Sequence, residues 1–181
     1  MCKLSIAFQT AFVLAIAFTV SVDAGNAMKT ATVDGMRIEL HILSAEPFFT
    51  ADEVKTKKVK AGMLKISGAE PLLLEADTYS NRHLVAHIFD AKTGKAITTA
   101  TVSIEFHKLG TKGKPIGNSI NVPIVIMQAI GKGLESTHYG NNVVMPAGTY
   151  QITVVANGKK VVFHVMLDKV GAMPSDEMHM H

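Results

Sequence analysis

The sequence predicts an all-β fold, an antiparallel β-sandwich behind an N-terminal signal peptide. Three observations carry that prediction. Short stretches alternate apolar and polar residues with a period of two, as in Met36-Arg37-Ile38-Glu39-Leu40-His41-Ile42 and in Thr101 to His107. Turn chemistry separates such stretches at regular intervals: Asp90 to Lys95, Pro146-Ala147-Gly148 and Asn157-Gly158. Outside the first two dozen residues, little of the chain carries a helical period.

Lys3 gives the first segment a positive start, and Leu4 to Val20 is apolar except for Ser5, Gln9, Thr10 and Thr19. Val22-Asp23-Ala24 has the compact residues of a cleavage site, with Gly25-Asn26-Ala27 as a second possibility. A retained anchor is the alternative, since about 17 apolar residues can just cross a bilayer. The small-residue exit and the missing basic stop-transfer cluster favour export. The expected organisation is therefore a signal peptide over residues 1–24, a sandwich domain over 25–169 and a Met/His-rich tail over 170–181. Cleavage leaves 157 of 181 residues, enough for one domain with its own core. It also removes Cys2, the only cysteine, so disulfides and thiolate metal sites are excluded. The net charge is +3 with dispersed lysines and only two arginines, Arg37 and Arg82. Nothing there favours nucleic acid.

Taken in order, Met36 to Ile42 is a half-buried strand with His41 on its polar face beside Arg37 and Glu39, expected to be solvated. Ala51 to Lys60 is lysine-heavy and fits a short helix, a loop or an edge strand. Met63 to Gly68 and Leu72 to Ala76 read as short strands, with a turn at Ser80-Asn81. His83 to Phe89 alternates, placing His83, Val85, His87 and Phe89 on one face. With the alternating segment Ala96 to His107 it is expected to form a hairpin. Gly110 to Ser119 reads as a polar loop, and Val122 to Ala129 as a strand interrupted by Pro123. Asn157-Gly158 is a favoured two-residue hairpin turn. Pairing outward from it sets Val154 opposite Val161, Ile152 opposite Phe163 and Tyr150 opposite Val165, and points His164 away from the core.

Catalysis finds no support. There is no Gly-x-Ser-x-Gly, no His-Glu-x-x-His, no phosphate loop and no standout carboxylate pair. The unusual items are eight histidines and ten methionines, the donors for copper that remain in an exported chain without cysteine. They concentrate at His138-Tyr139-Gly140-Asn141-Asn142-Val143-Val144-Met145, whose glycine permits backbone conformations closed to other residues. A loop histidine beside a buried methionine explains that spacing equally well. The metal reading needs His83, Met127 and His138 to meet at one end of the sandwich, with Met145 a neighbour or packing residue. His87 points the same way as His83 but lies about 13 Å along the strand, so the two share an ion only across a bulge. Affinity is expected to fall as imidazoles protonate below about pH 6.5.

The segment His138-Tyr139-Gly140-x-Asn142-x-x-Met145 resembles the His-Tyr-Gly motif of a periplasmic iron-transport protein family. His83-Leu84-x-Ala86-x-Ile88 is similar to that family's other metal strand, and Val33-Asp34-Gly35-Met36-x-Ile38 to its opening strand. The resemblance implies a small exported homodimer with an immunoglobulin-like sandwich that binds copper and serves iron uptake. It places His83 and His138 on the ligand histidines and Met127 near the ligand methionine, with a longer spacer. The family's glutamate is Val85 here, and Phe48 stands roughly where another methionine belongs. The late histidine has no clear counterpart, though His164 or the tail is a substitute. Loss of the carboxylate favours copper over iron, with His87 as a replacement donor. The expectation is a non-enzymatic periplasmic protein that buffers or delivers copper, or assists iron uptake beside a membrane transporter. The alternative is an interaction module whose histidines are incidental.

Overall fold

The computed structural model describes residues 26–75 and 80–168; the signal peptide, the tail and Ala76 lie outside them. Asp34-Gly35 opens the fold, both residues at positive φ (45° and 77°), as a twisted two-residue turn demands. It joins β1 (Ala27–Val33) to β2 (Met36–Ser44). β3 (Phe48–Phe49) follows, then α1 (Ala51–Lys57), β4 (Met63–Gly68), β5 (Asn81–Asp90) and β6 (Val102–Leu109). β7 (Pro115–Asn121), β8 (Val125–Ala129), β9 (His138–Val144), β10 (Gly148–Ala156) and β11 (Lys159–Leu167) complete the chain. Thr50 and Glu53 cap α1 reciprocally, side chain to backbone in both directions, which decides a lysine-rich segment in favour of helix.

Two sheets form. One runs β1-β2-β5-β9-β8-β4-β3, the other β11-β10-β6-β7. All ladders are antiparallel except β3 with β4. The β10–β11 register pairs Val154 with Val161, Ile152 with Phe163 and Tyr150 with Val165. Between the sheets lies the main core, with Ile38, Leu40, Leu84 and Ile88 from one side and Ile104, Ile152, Phe163 and Val165 from the other. Each such side chain, fully buried, stabilises the fold by about 1.5–3 kcal/mol relative to exposure. The opposite face of the large sheet carries a second, smaller cluster: Phe48, Val85, Val125 and Met127, with Met63 packed on it.

Several expectations are corrected. β5 and β6 do not form a hairpin: β2 and β9 already flank β5, so only a Phe89–Ala96 bridge forms before the chain crosses to the other sheet. The expected loop after Gly110 contains β7, an edge strand exposed at every residue. Leu72 to Glu75 is not a strand. The Leu72 N–H donates to Asn141 Oδ1 (2.8 Å) and its carbonyl accepts from Asn142 Nδ2 (3.1 Å), so side-chain amides satisfy the backbone that a ladder would have paired.

Candidate metal centre

The second cluster is the floor of the site. Because β5 alternates, Leu84 and Ala86 enter the main core while His83, Val85 and His87 project to the other face. β9 lies beside it with His83 opposite Asn142 and Val85 opposite Gly140. The approach is close: a Cβ on Gly140 would stand 2.0 Å from the Leu84 carbonyl oxygen. β8 completes the face, with Met127 the register partner of His138. Residues opposite one another on neighbouring antiparallel strands have their Cβ atoms about 4.5–5.5 Å apart.

This packing brings His83 and His138 together. Their Nε2 atoms are 3.4 Å apart, with ring centroids at 5.6 Å and planes at 86°. Both are buried, at 0% and 3% exposure. The other nitrogen of each ring is committed. His138 Nδ1 lies 2.7 Å from the Ser136 carbonyl oxygen, which can only accept, so Nδ1 carries the proton. His83 Nδ1 lies 3.0 Å from Asn142 Oδ1. Asn142 spends its Nδ2 hydrogens on the carbonyls of Glu46 and Leu72, and its Oδ1 also accepts from the Glu46 N–H. That network fixes the amide orientation, so His83 also donates from Nδ1. In the neutral rings, both Nε2 atoms therefore present lone pairs to each other. Two acceptors form no hydrogen bond, and their shared need is a cation.

Burial, above all, keeps these rings neutral. It lowers His83 to about 4, with the His138 charge adding to the effect and Asn142 opposing it. It lowers His138 to about 4 against the pull of the Ser136 carbonyl, and His87 to about 3, helped by His138, His41 and His83. All three rings thus lie below the ordinary imidazole range, with burial the leading cause.

Met127 is fully buried beside His138. Met145 is not part of this face; it packs in the main core. His87 does not reach His83 along the strand, but its ring lies 4.8 Å from that of His138, which stands between them. No bulge interrupts β5 between them. His138 itself begins a strand instead of lying in a loop. His164 sits on β11, in the other sheet. His41, expected to be solvated, is instead half-buried with its ring 4.7 Å from His87, and sequence reading passed over Met63 beside Met127. A polar-face position on a strand gave His41 no signal, because burial there comes from the neighbouring strand. Among the described residues, no group of three or more histidine, cysteine or carboxylate side chains is arranged to hold a metal ion. The donors on offer are thus two imidazoles with a thioether beside them.

Tyr139 points the opposite way. Its hydroxyl donates to the Ile97 carbonyl (2.9 Å) and accepts from the Ala100 N–H (3.1 Å), tying the crossover from β5 to β6 beneath the site. Among the described residues, no helix is long and apolar enough to cross a membrane.

No protein-family model and no curated protein matches this chain. Among solved structures, the copper-reconstituted P19 protein from Campylobacter jejuni aligns with 82% of this chain and 100% of its own. The identity is 13% and the TM-score 0.48, a likeness that carries no conclusion about the chemistry of the site.

Proposed function

We propose that this protein is an exported copper-binding protein that holds Cu(I) between His83 and His138, with the Met127 thioether as third donor, and buffers or delivers the metal. The observation that carries the reading is the pair of buried, tautomer-fixed Nε2 lone pairs facing each other at 3.4 Å. Two metal–nitrogen bonds of about 2.0 Å span at most about 4 Å, so one ion fits between them without moving a strand. The donor set is neutral and low in number. Zinc favours four ligands and calcium or magnesium favour oxygen, whereas Cu(I) accepts few, soft donors. Iron is disfavoured because Val85, an apolar residue in the floor, leaves no hard donor there.

The test is titration of the purified protein with Cu(I) against a chromophoric chelator. One equivalent is expected to bind tightly, and a His83→Ala/His138→Ala double variant to lose it. Retained binding in that variant would overturn the reading.

A further inference from the structure

His83, His138 and Met127 are almost fully closed to solvent, so an ion bound there needs a way in. The imidazoles do not stop at His138. His87 lies against it at 4.8 Å between ring centroids, and His41 lies against His87 at 4.7 Å. Exposure rises along this row, from 0% at His83 through 3% at His138 to a half-buried His87 and a His41 side chain at 23%. His41 Nε2 is buried and has no hydrogen-bond partner among the described residues. It stands 3.5 Å from Glu39 Oε2 without hydrogen-bond geometry, and Arg37 holds the other oxygen of that carboxylate at 2.5 Å. A buried nitrogen left unsatisfied in this way is unfavourable unless a ligand completes it.

We propose that His41 and His87 form an outer station through which copper passes to the buried pair, with Glu39 supplying negative charge at its mouth. This rests on the copper reading of His83 and His138. A station of two imidazoles holds an ion weakly, and weak holding is what onward transfer requires. Each step is a ligand exchange: a metal–nitrogen bond breaks at the outer ring as one forms at the next, and the ion keeps its charge and electrons.

The experiment is stopped-flow transfer of Cu(I) from its chromophoric chelator complex to the protein, paired with equilibrium competition. His41→Ala and His87→Gln are expected to slow uptake and release about tenfold while changing the equilibrium affinity less than about twofold. His41→Gln, which keeps a polar side chain of similar reach, guards against a packing artefact and is expected to behave as His41→Ala does. Unaltered rates in both His41 variants overturn the route. So does a His87→Gln variant that loses affinity with its uptake rate intact, because His87 would then be a ligand of the resident ion. Failure of the unmodified protein to take up Cu(I) removes the buried site and the route together, a result distinct from either of these.

Discussion

Asn142 does at the residue scale what a metal-site histidine cannot do for itself. Rotation and tautomer exchange leave an imidazole free to present either nitrogen, and the partner of the second nitrogen decides which one faces the metal. With Asn142 removed, the His83 ring loses its acceptor and the Glu46 and Leu72 carbonyls lose their donor. Asn142→Ala is expected to weaken Cu(I) binding about 10–100-fold and to cost about 1–3 kcal/mol of stability. Competition titration and urea unfolding measure the two. Met127→Leu separates the soft donor from the packing, since the volumes are similar. Cu(I) affinity should fall while Cu(II) affinity and the unfolding midpoint barely move. Equal losses for both oxidation states would mean that sulfur takes no part. Residue type alone marked His83, His138 and Met127 as candidate donors, and strand alternation set His83 on its face. The tautomer lock was not, because its acceptors, Ser136 O and Asn142 Oδ1, acquire their role only when β9 is laid beside β5.

At the scale of the element, β9 carries both layers of the protein on successive residues. His138 and Gly140 face the smaller, histidine-bearing cluster, while Tyr139 bonds the crossover on the core side. Gly140 is the tightest point, its φ of 156° and the 2.0 Å Cβ approach leaving no room for alanine. Gly140→Ala is expected to push β9 from β5, destabilise the fold by about 3 kcal/mol or more and abolish copper binding. Thermal unfolding and titration of the same sample check both, and an intact site in a destabilised protein would break the link. Tyr139→Phe tests the other face: it strands the Ala100 N–H and should cost about 1–3 kcal/mol with copper affinity unchanged. Elements that alternate were readable in advance. The β10–β11 hairpin is set by Asn157-Gly158 and by valines and isoleucines every second residue, and the sequence implies its register correctly. β7 has no such pattern, because an edge strand exposed throughout buries no face. Leu72-Leu73-Leu74 misleads for the opposite reason: it has strand composition, but Asn141 and Asn142 claim its backbone.

For the whole molecule, burying three neutral imidazoles on one sheet face makes stability depend on pH. In the unfolded chain each titrates near 6.5. Folded, burial holds His83 and His138 at about 4 and His87 at about 3. Between those values the unfolded state binds more protons, so stability rises with pH. The contribution is complete above about 6.5 and is lost as pH falls towards 4, with a limiting slope of about 1.4 kcal/mol per unit for each imidazole. The urea midpoint should be flat from pH 8 to 7 and fall steeply below 6.5. His87→Gln should make that fall shallower, since one of the three titrating groups is gone. On the proposed reading a bound ion acts on the same equilibrium, since an ion held by the folded site would occupy the lone pairs that protons would take. Saturating Cu(I) should therefore raise the midpoint most strongly near pH 5, and binding itself should persist well below 6.5, for as long as the protein is folded. An acid transition that copper leaves in place, in a protein that still binds the ion at neutral pH, would put the binding site away from these rings.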